Sequence, residues 1–320
     1  MTRGWLAVAR RVARLARGSR LRPQTLKASG LVSGPRPRAQ TSEEFWSVVN
    51  VTGHRRFRDR DDSLRYFWWR SEQYLDYLEH MPVKGQDGRV VLDYGCGPGH
   101  DLVGFVEYSR PSRLIGMDVS AASLREAGER LALHSAQPEL VRISESAVQL
   151  PLPDASVDYV HCSGVLHHVP DPVGVLKEFR RVLRPNGQGR LMVYNYESVW
   201  LHLYAAYMLR FGQPGGQVRT VRDVFRRSTD GEDCPISEAW RPADVSEMCA
   251  RASLSCLHLG NAVSIHELVI LPKRFDAIVS FDLEEEHRRF LLGLTFDRRG
   301  LPYSGDKAAG IDGCYLLEPR

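Results

Sequence analysis

A short apolar run closed by three glycines, at residues 90–99, constrains the fold of this chain more than any other stretch. It reads Val-Val-Leu-Asp-Tyr-Gly-Cys-Gly-Pro-Gly, and a helical pattern begins at about Asp101. An apolar run that ends in glycines is typical of a buried parallel strand entering a tight turn. Glycine has no Cβ atom and tolerates positive φ, so Gly95, Gly97 and Gly99 leave room for a ligand against the backbone. The segment predicts a strand, turn and helix that form the floor of a nucleotide-like site.

Strands and helices alternate after this unit. Apolar runs predict strands at residues 113–118, 139–144, 156–162 and 189–195. A helical pattern with Ser120 as its cap follows the strand at 113–118. Another helical pattern, over residues 172–182, follows the strand at 156–162. Residues 184–187 (Arg-Pro-Asn-Gly) predict a turn before the last strand. This alternation is typical of a parallel sheet with helices on both faces.

The flanking segments are less regular. Residues 43–80 are predicted to be helical, with Asp61, Asp62 or Ser63 as a cap, and further helices are predicted over 196–209 and from Pro242. A strand is predicted at 254–259. Two segments, 264–271 and 313–317, are candidates for the last strand. If the later one closes the sheet, residues 264–311 form an insertion with its own helix at 283–294.

Charge divides the chain into a basic start and a mildly acidic body. Residues 1–42 contain ten basic residues and no Asp or Glu, which leaves 33 basic against 39 acidic residues in the remainder. An acidic body does not favour a nucleic-acid partner. No stretch approaches the ~20 apolar residues that a membrane-spanning helix needs. The six cysteines are scattered without metal-binding spacing, so no protein metal site is expected.

The first 22 residues form an amphipathic pattern. Trp5, Val8, Val12 and Leu15 recur at helical spacing with arginines between them. Such a start is typical of an organelle transit peptide or of a helix on an anionic membrane surface, and equally of a disordered extension. We expect residues 1–42 to be an extension of a cytoplasmic protein, with organelle targeting or peripheral membrane contact as the alternative.

Two acidic residues indicate the chemistry of the ligand. Asp93 lies inside the glycine turn, where its charge would repel a pyrophosphate but would suit a positive amino group. Asp118 ends the next predicted strand, a position from which nucleotide-binding folds bind ribose hydroxyls. An adenosine that carries an α-amino acid and no phosphate satisfies both carboxylates. That ligand is S-adenosylmethionine.

Four segments in order resemble a known family. Residues 91–99 look like the first signature of class I S-adenosylmethionine-dependent methyltransferases. Residues 150–158 (Leu-Pro-Leu-Pro-Asp-Ala-Ser-Val-Asp), 164–172 and 183–189 resemble the segments that follow in the small-molecule branch, which includes quinone-pathway methyltransferases. The resemblance covers about residues 85–195. It implies an α/β, Rossmann-like doubly wound sheet of seven strands whose last strand is antiparallel.

The resemblance also implies how the cofactor is held. Asp93, Gly95 and Gly97 would meet the methionine portion of S-adenosylmethionine. Asp118 would hold the ribose, and Val119 would lie beside the adenine.

Three further positions complete the implied cofactor site. Ser146 and Ala147 stand where the family usually has Asp-Ala, whose aspartate contacts the adenine amino group. A serine accepts a hydrogen bond less strongly than a carboxylate does. Cys162, at the end of a predicted strand, would lie near the methionine end through its backbone.

A base is needed only if the methyl acceptor must lose a proton. His167 and His168 follow a predicted strand, at the carboxyl side of the sheet where ligands bind, and histidine titrates near neutral pH. Both are candidate bases; the alternative is that one or both pack the following helix and hydrogen-bond to the backbone. Alternative candidates for the base are Tyr194, Tyr196 and Glu197 at the end of the strand predicted at 189–195. Asp230 and Glu232, in a polar loop, are further alternatives.

The sequence therefore predicts a methyltransferase domain over residues 43–320. Its parts are a helical N-terminal region (43–84), a cofactor-binding core (85–195), and acceptor-pocket or lid segments at about 197–240 and 264–311. We expect a small-molecule acceptor: an aromatic or quinone-like compound, a secondary metabolite or a saccharide. Two alternatives stay open. One is a catalytically silent cofactor-binding partner protein, and the other is a nicotinamide oxidoreductase.

Overall fold

A computed structural model describes residues 41–50, 52–144, 149–211, 219–231 and 233–320. The sequence predictions for residues 1–40, Ser146, Ala147 and Glu232 lie outside these ranges. In the part of the chain that is described, the molecule is built on one mixed β-sheet with helices on both faces.

The main sheet has eight strands in the described ranges: β1 (Tyr74–Leu75), β2 (Val90–Tyr94), β3 (Arg113–Asp118), β4 (Glu139–Arg142), β5 (Val157–Ser163), β6 (Leu183–Tyr194), β7 (Leu254–Ser264) and β11 (Asp312–Pro319). Their order across the sheet is β1-β7-β11-β6-β5-β2-β3-β4. A separate antiparallel sheet contains β8 (Thr295–Phe296), β9 (Pro302–Ser304) and β10 (Lys307–Ala308).

The helices fall into three groups along the chain. Before β3 lie α1 (Ser42–Val48), α2 (Arg60–Ser71), α3 (Tyr77–His80) and α4 (His100–Tyr108). Between β3 and β7 lie α5 (Ala121–Ala132), α6 (Pro172–Val182), the π-helix α7 (Trp200–Leu209), α8 (Val221–Thr229) and α9 (Pro242–Arg251). After β7 lie α10 (Ile265–Ile270), α11 (Arg274–Val279) and α12 (Glu285–Gly293).

The sheet confirms the predicted fold class and adds one strand to it. Strands β4, β3, β2, β5 and β6 pair in parallel, and β11 is antiparallel to both β6 and β7. The later candidate, 313–317, therefore closes the sheet, whereas 264–271 is mostly helix α10. The eighth strand is the two-residue β1, which pairs with the end of β7 and has no periodic sequence signal of its own.

Two local predictions were wrong. The helix expected to start at residues 61–63 and to continue past Leu75 is α2, which is capped by Asp59 and ends at Ser71. The turn expected at 184–187 lies inside β6, where the pairing moves from Val157↔Leu183 to Tyr159↔Gln188. Residues 184–187 are therefore extra residues within β6, which begins at Leu183, and they form an irregularity in its pairing with β5. A sequence pattern of proline and glycine does not distinguish such an irregularity from a turn.

The core lies on both sides of the central strands. Val91 packs with Phe67 and Phe105 on one face of the sheet, whereas Leu92 packs with Phe179 on the other. Successive strand residues point to opposite faces, so a strand buried on both faces needs apolar residues at consecutive positions. This burial on both faces explains why residues 90–92 are uniformly apolar. It also holds β2 firmly, so that the glycine turn after it has a fixed position at the carboxyl edge of the sheet.

The segment after β7 forms a unit of its own, as the sequence predicted for residues 264–311. Its apolar residues pack against α7 in a separate cluster that includes Leu203, Ile270 and Leu291. None of the helices described here is long and apolar enough to cross a membrane.

Glu267 fastens this unit to the sheet. Its buried carboxylate accepts hydrogen bonds from the backbone N–H of Trp200 (3.0 Å), Ser264 (2.8 Å) and Ile311 (3.3 Å). It therefore joins the start of α7 to the end of β7 and to the residue that precedes β11. We expect Glu267→Ala to lower the free energy of unfolding by roughly 3 kcal/mol, because several buried donors lose their acceptor.

Chemical denaturation would measure this loss. The control is Glu285→Ala on the exposed surface of α12, for which we expect a change within about 0.5 kcal/mol. Equal stability of the two variants would contradict the assigned role of Glu267.

Candidate functional site

The glycine turn after β2 has the expected backbone geometry. Gly95, Gly97 and Gly99 have φ angles of +75°, +51° and +76°. The backbone N–H groups of Gly95 and Cys96 both donate to the carbonyl oxygen of Met117, at 2.7 and 2.9 Å. These bonds hold the turn against the end of β3, and Gly99 then caps α4.

The glycines differ in what surrounds them. A Cβ atom on Gly95 would lie 2.2 Å from the Cγ2 atom of Val165, so the turn packs directly on the chain after β5. A Cβ atom on Gly97 would meet nothing within 4 Å. Gly97 therefore faces open space, as a backbone that cradles a ligand requires.

Asp118 holds the turn from the end of β3. Its carboxylate accepts hydrogen bonds from the N–H groups of Gly97 and Ser120, both at 2.8 Å. Burial raises the pKa of this carboxyl, and the backbone hydrogen bonds oppose the shift. Each carboxylate oxygen has more than one acceptor position, so both can also bind hydroxyl groups of a ligand.

A cleft of about 800 Å³, its solvent-open part included, lies over the turn. It contains four of the sequence-predicted cofactor residues, Gly95, Gly97, Asp118 and Val119, together with His168. The other lining residues come from the N-terminal helix, the glycine turn, the ends of β2 and β5, the first turn of α5 and the loops at the same sheet edge: Ser42, Trp46, Asn50, Tyr94, Pro98, Ser123, Ile143, Ser163, Gly164, Val165, Val169 and Pro170.

Helix α1 is a wall of the cleft that sequence reasoning missed. Ser42 donates from its hydroxyl to the carbonyl oxygen of His168 (3.0 Å), and the ring of Trp46 lies edge-on to the His168 ring at 5.0 Å. A signal was present, because Thr41 and Glu44 form a capping box at the start of α1. The sequence indicated a helix here but not where it would pack.

Asp93 and Cys162 are not among the lining residues and are buried beneath the cleft. One carboxylate oxygen of Asp93, Oδ2, has no hydrogen-bond partner among the described residues. Burial, reinforced by Asp101 and Asp118 and opposed by His161, raises the pKa of Asp93 to about 7. A buried carboxylate oxygen without a hydrogen-bond donor is a place where the amino group of a ligand would be favourable.

The two candidate histidines have different surroundings. His167 is fully buried, its ring packs on Tyr194 at 3.8 Å, and burial holds its pKa well below the usual value. It does not line the cleft. His168 does line it, and its Nδ1 atom lies 2.6 Å from the carbonyl oxygen of Ile236. That contact assigns the proton of a neutral ring to Nδ1 and leaves Nε2 as the acceptor.

Asp230, in the polar loop after α8, lies next to His168. Its Oδ2 atom lies 3.5 Å from Nε2 of His168, and both of its oxygens accept from the hydroxyl of Tyr194, at 3.2 Å. Two of the alternative sequence candidates, Tyr194 and Asp230, thus join one histidine in a polar cluster. This grouping links residues from three segments that are distant in sequence.

Tyr196 and Glu197 lie in a different polar group. Tyr196 donates to Glu286 (3.1 Å), and Glu197 pairs with Arg241 (3.4 Å). Neither residue contacts the cluster around His168 through a hydrogen bond among the described residues.

Cys234 completes the set of donor atoms near His168. One donor atom each from His168, Asp230 and Cys234 lies within 4.8 Å of the other two. Burial raises the pKa of the Cys234 thiol to about 12, so the thiol is neutral at physiological pH. These three side chains are the candidate metal ligands of the described residues.

Comparison with known proteins finds a matching domain family and several similar proteins. The methyltransferase domain family matches residues 92–190. The probable methyltransferase ltbC of Aspergillus luteorubrus is 37% identical over 48% of this chain and 54% of its own length. A demethylmenaquinone methyltransferase of Geobacillus stearothermophilus is 34% identical over 43% of this chain and 57% of its own. A solved S-adenosylmethionine dependent methyltransferase from Mesorhizobium loti covers 76% of this chain at 16% identity, with a TM-score of 0.48.

Residues 92–190 thus match the methyltransferase domain family. The resemblance expected from the four sequence motifs is confirmed, and with it the expected cofactor. The chain spans only 54% and 57% of the lengths of the two curated relatives.

The residues present fit this cofactor. The unpartnered oxygen of Asp93 suits an amino group, the open side of Gly97 suits a ligand against the backbone, and the carboxylate of Asp118 suits ribose hydroxyls. The adenine contact expected from Ser146 and Ala147 stays a prediction, because both residues lie outside the described ranges.

The two glycines provide a matched pair of variants. We expect Gly95→Ala to lower the melting temperature more than Gly97→Ala does. Both substitutions put a side chain at positive φ, which costs about 1–2 kcal/mol, but only Gly95→Ala also collides with Val165. A thermal scan without ligand measures the difference, and equal melting temperatures would contradict the packing described for Gly95.

Proposed function

We propose that the protein transfers a methyl group from S-adenosylmethionine to a hydroxyl group of a small-molecule acceptor. One observation carries the acceptor side of this proposal. His168, which lines the cofactor cleft, faces Asp230 of the polar loop, so a polar cluster borders the space beyond the glycine turn.

On the cofactor side, we propose that Asp118 binds the ribose hydroxyls and that Asp93 attracts the amino group of the methionine portion. Gly95 and Gly97 hold the turn close to the ligand, Val119 borders the adenine, and the backbone at Cys162 lies near the methionine end. The burial of Asp93 strengthens its attraction for a cation, because a low local dielectric screens charges less than water does.

The methyl-transfer step itself needs little chemical assistance from the protein. The acceptor oxygen attacks the methyl carbon in line with the bond to sulfur, that bond breaks, and its electron pair stays on sulfur. S-adenosylhomocysteine leaves as a neutral thioether, so the main contribution of the protein is to align donor and acceptor. The hydroxyl must also lose its proton, and that proton needs a place to go.

The cluster of His168, Asp230 and Tyr194 suits this second task. Nε2 of His168 has a free lone pair, and Asp230 stabilises positive charge that develops on the ring. His167 suits it less, because its buried ring lies behind His168 and its pKa is strongly lowered. We therefore propose His168, rather than His167, as the histidine that meets the acceptor.

The acceptor class is inferred from the same cluster. Hydroxyl, carboxylate and imidazole groups match a hydroxylated compound, such as a saccharide or a hydroxylated aromatic metabolite, better than a purely apolar one. The relatives carry names of methyltransferases with different acceptors, trans-aconitate and demethylmenaquinone among them. The alternative of a catalytically silent cofactor-binding protein predicts cofactor binding without any methylated product.

The raised pKa of Asp93 leads to a pH dependence of cofactor binding. Only the ionised carboxylate attracts an ammonium group, so binding is strongest above the pKa of about 7 and weakens as the pH falls through it. We expect calorimetry with S-adenosylhomocysteine to show about a tenfold loss of affinity from about pH 8 to pH 6.

Asp93→Asn tests the assignment of this effect. The variant should bind more weakly at about pH 8, by more than ~1 kcal/mol, and should lose most of the pH dependence. If the full pH dependence persists in Asp93→Asn, another group, such as His161, is responsible.

Asp230→Asn tests the acceptor side. We expect it to lower kcat by about 100-fold, the scale of lost proton-transfer assistance, while the affinity for S-adenosylhomocysteine stays unchanged. Asp233→Asn is the matched control, because Asp233 is an exposed acid in the same loop. The assay follows labelled methyl transfer to a panel of saccharides and phenols. Equal rates for the two variants would refute the placement of the acceptor, and cofactor binding without any product would favour the silent protein.

A further inference from the structure

We propose that His168, Asp230 and Cys234 form a binding site for a divalent transition-metal ion, with Zn²⁺ as the best match. The site borders the cofactor cleft through His168. The role given below to the ion rests on the function proposed above, whereas the existence of the site does not.

The first argument is the spacing of the donor atoms. Nε2 of His168 lies 3.5 Å from Oδ2 of Asp230, and one donor atom from each of His168, Asp230 and Cys234 lies within 4.8 Å of the other two. Zinc bonds of roughly 2.0–2.3 Å in a tetrahedron place ligand atoms about 3.3–3.8 Å apart. Small side-chain movements would therefore bring one donor from each residue to an ion.

The second argument is the set of bonds behind these donors. A histidine that ligates a metal through one nitrogen usually donates the other N–H to a carbonyl or carboxylate, and a ligating carboxylate is itself hydrogen-bonded. Nδ1 of His168 lies 2.6 Å from the carbonyl oxygen of Ile236, which leaves Nε2 for the ion. Asp230 accepts from Tyr194 and, at 3.4 Å, from Ser237. Both supporting contacts are already formed.

The third argument is the chemistry of the donor set. One nitrogen, one oxygen and one sulfur are ligands that zinc accepts together, whereas Mg²⁺ and Ca²⁺ prefer oxygen alone. The three residues are mostly buried, and the His168 and Cys234 side chains come from loops that only the fold brings together. Three protein ligands leave a fourth position open, which is the arrangement of catalytic rather than structural zinc.

The open position gives the ion a role in the reaction. An acceptor hydroxyl bound to such an ion would lose its proton to solvent more easily, because the positive charge would stabilise the oxyanion. The oxyanion then forms the bond to the methyl carbon as the carbon–sulfur bond of S-adenosylmethionine breaks, and the electron pair of that bond stays on sulfur. His168, Asp230 and Cys234 would hold the ion throughout, and the reaction would then need no histidine base.

Cobalt binding tests the site without an activity assay. We expect the full-length protein, freed of metal by a chelator and dialysed, to bind one equivalent of Co²⁺ and to show a thiolate-to-cobalt charge-transfer band. Cys234→Ser should lose the band, and Asp230→Asn should keep it with at least about tenfold weaker binding. Cys256→Ser, which removes a thiol on β7, is the control and should bind as the unaltered protein does. No binding of Co²⁺ or Zn²⁺ at micromolar concentration, or a band that survives in Cys234→Ser, would overturn the proposal.

Proton release provides a check that needs no variant. The Cys234 thiol must lose its proton to bind the ion, so Zn²⁺ affinity should rise with pH and calorimetry should detect released protons. The charged groups that act on this thiol are Asp230, which disfavours the thiolate, and Arg226, which favours it. Zn²⁺ binding without proton release would exclude Cys234 as a ligand.

Methyl transfer by metal-free protein separates the two proposals. Transfer that continues unchanged in the absence of metal refutes the role of the ion and leaves the proposed function standing. Tight Zn²⁺ binding with no product from any acceptor confirms the site and refutes the proposed function.

Discussion

The carboxylate of Asp118 is the contact on which the rest of the cofactor site depends. It binds the N–H groups of Gly97 and Ser120 and so joins the end of β3, the glycine turn after β2 and the start of α5. A carboxylate that accepts backbone hydrogen bonds in a buried place resists movement, since breaking them would leave polar groups without partners. The turn is therefore held open beside Gly97 before any ligand arrives, and the cleft is preorganised around it.

The cleft gains its second wall from the N-terminal region. Helix α1 is tied to the backbone of His168 by Ser42, and Trp46 packs against the same ring. This contact fixes His168, the candidate histidine that lines the cleft among the described residues. The loop after α8 then brings Asp230 and Cys234 to the same ring. Both functional proposals, methyl transfer and metal binding, thus concern His168, which contacts α1 and the loop after α8 and lines the cleft.

How much of this was predictable differs between the core and the site. The strands at 90–94 and 113–118 were predicted because a strand buried on both faces leaves a continuous apolar run. Asp118, Gly95 and Gly97 were predicted because their roles depend on the backbone next to them. The choice between His167 and His168 was not predictable, since adjacent residues in a short turn point in different directions. Nor was Cys234, which has no ligand-like spacing to any neighbour in the sequence.

The sequence by itself determined the parallel strands of the sheet, the glycine turn and the class of the domain. Each of these rests on short-range patterns: apolar runs, positive-φ glycines and acids at strand ends. Only the tertiary structure decided which histidine faces the cleft, that α1 covers it, that β11 closes the sheet, and that His168, Asp230 and Cys234 come together. The physical reason is that burial and packing join residues from distant loops, and no local spacing in the chain encodes such contacts.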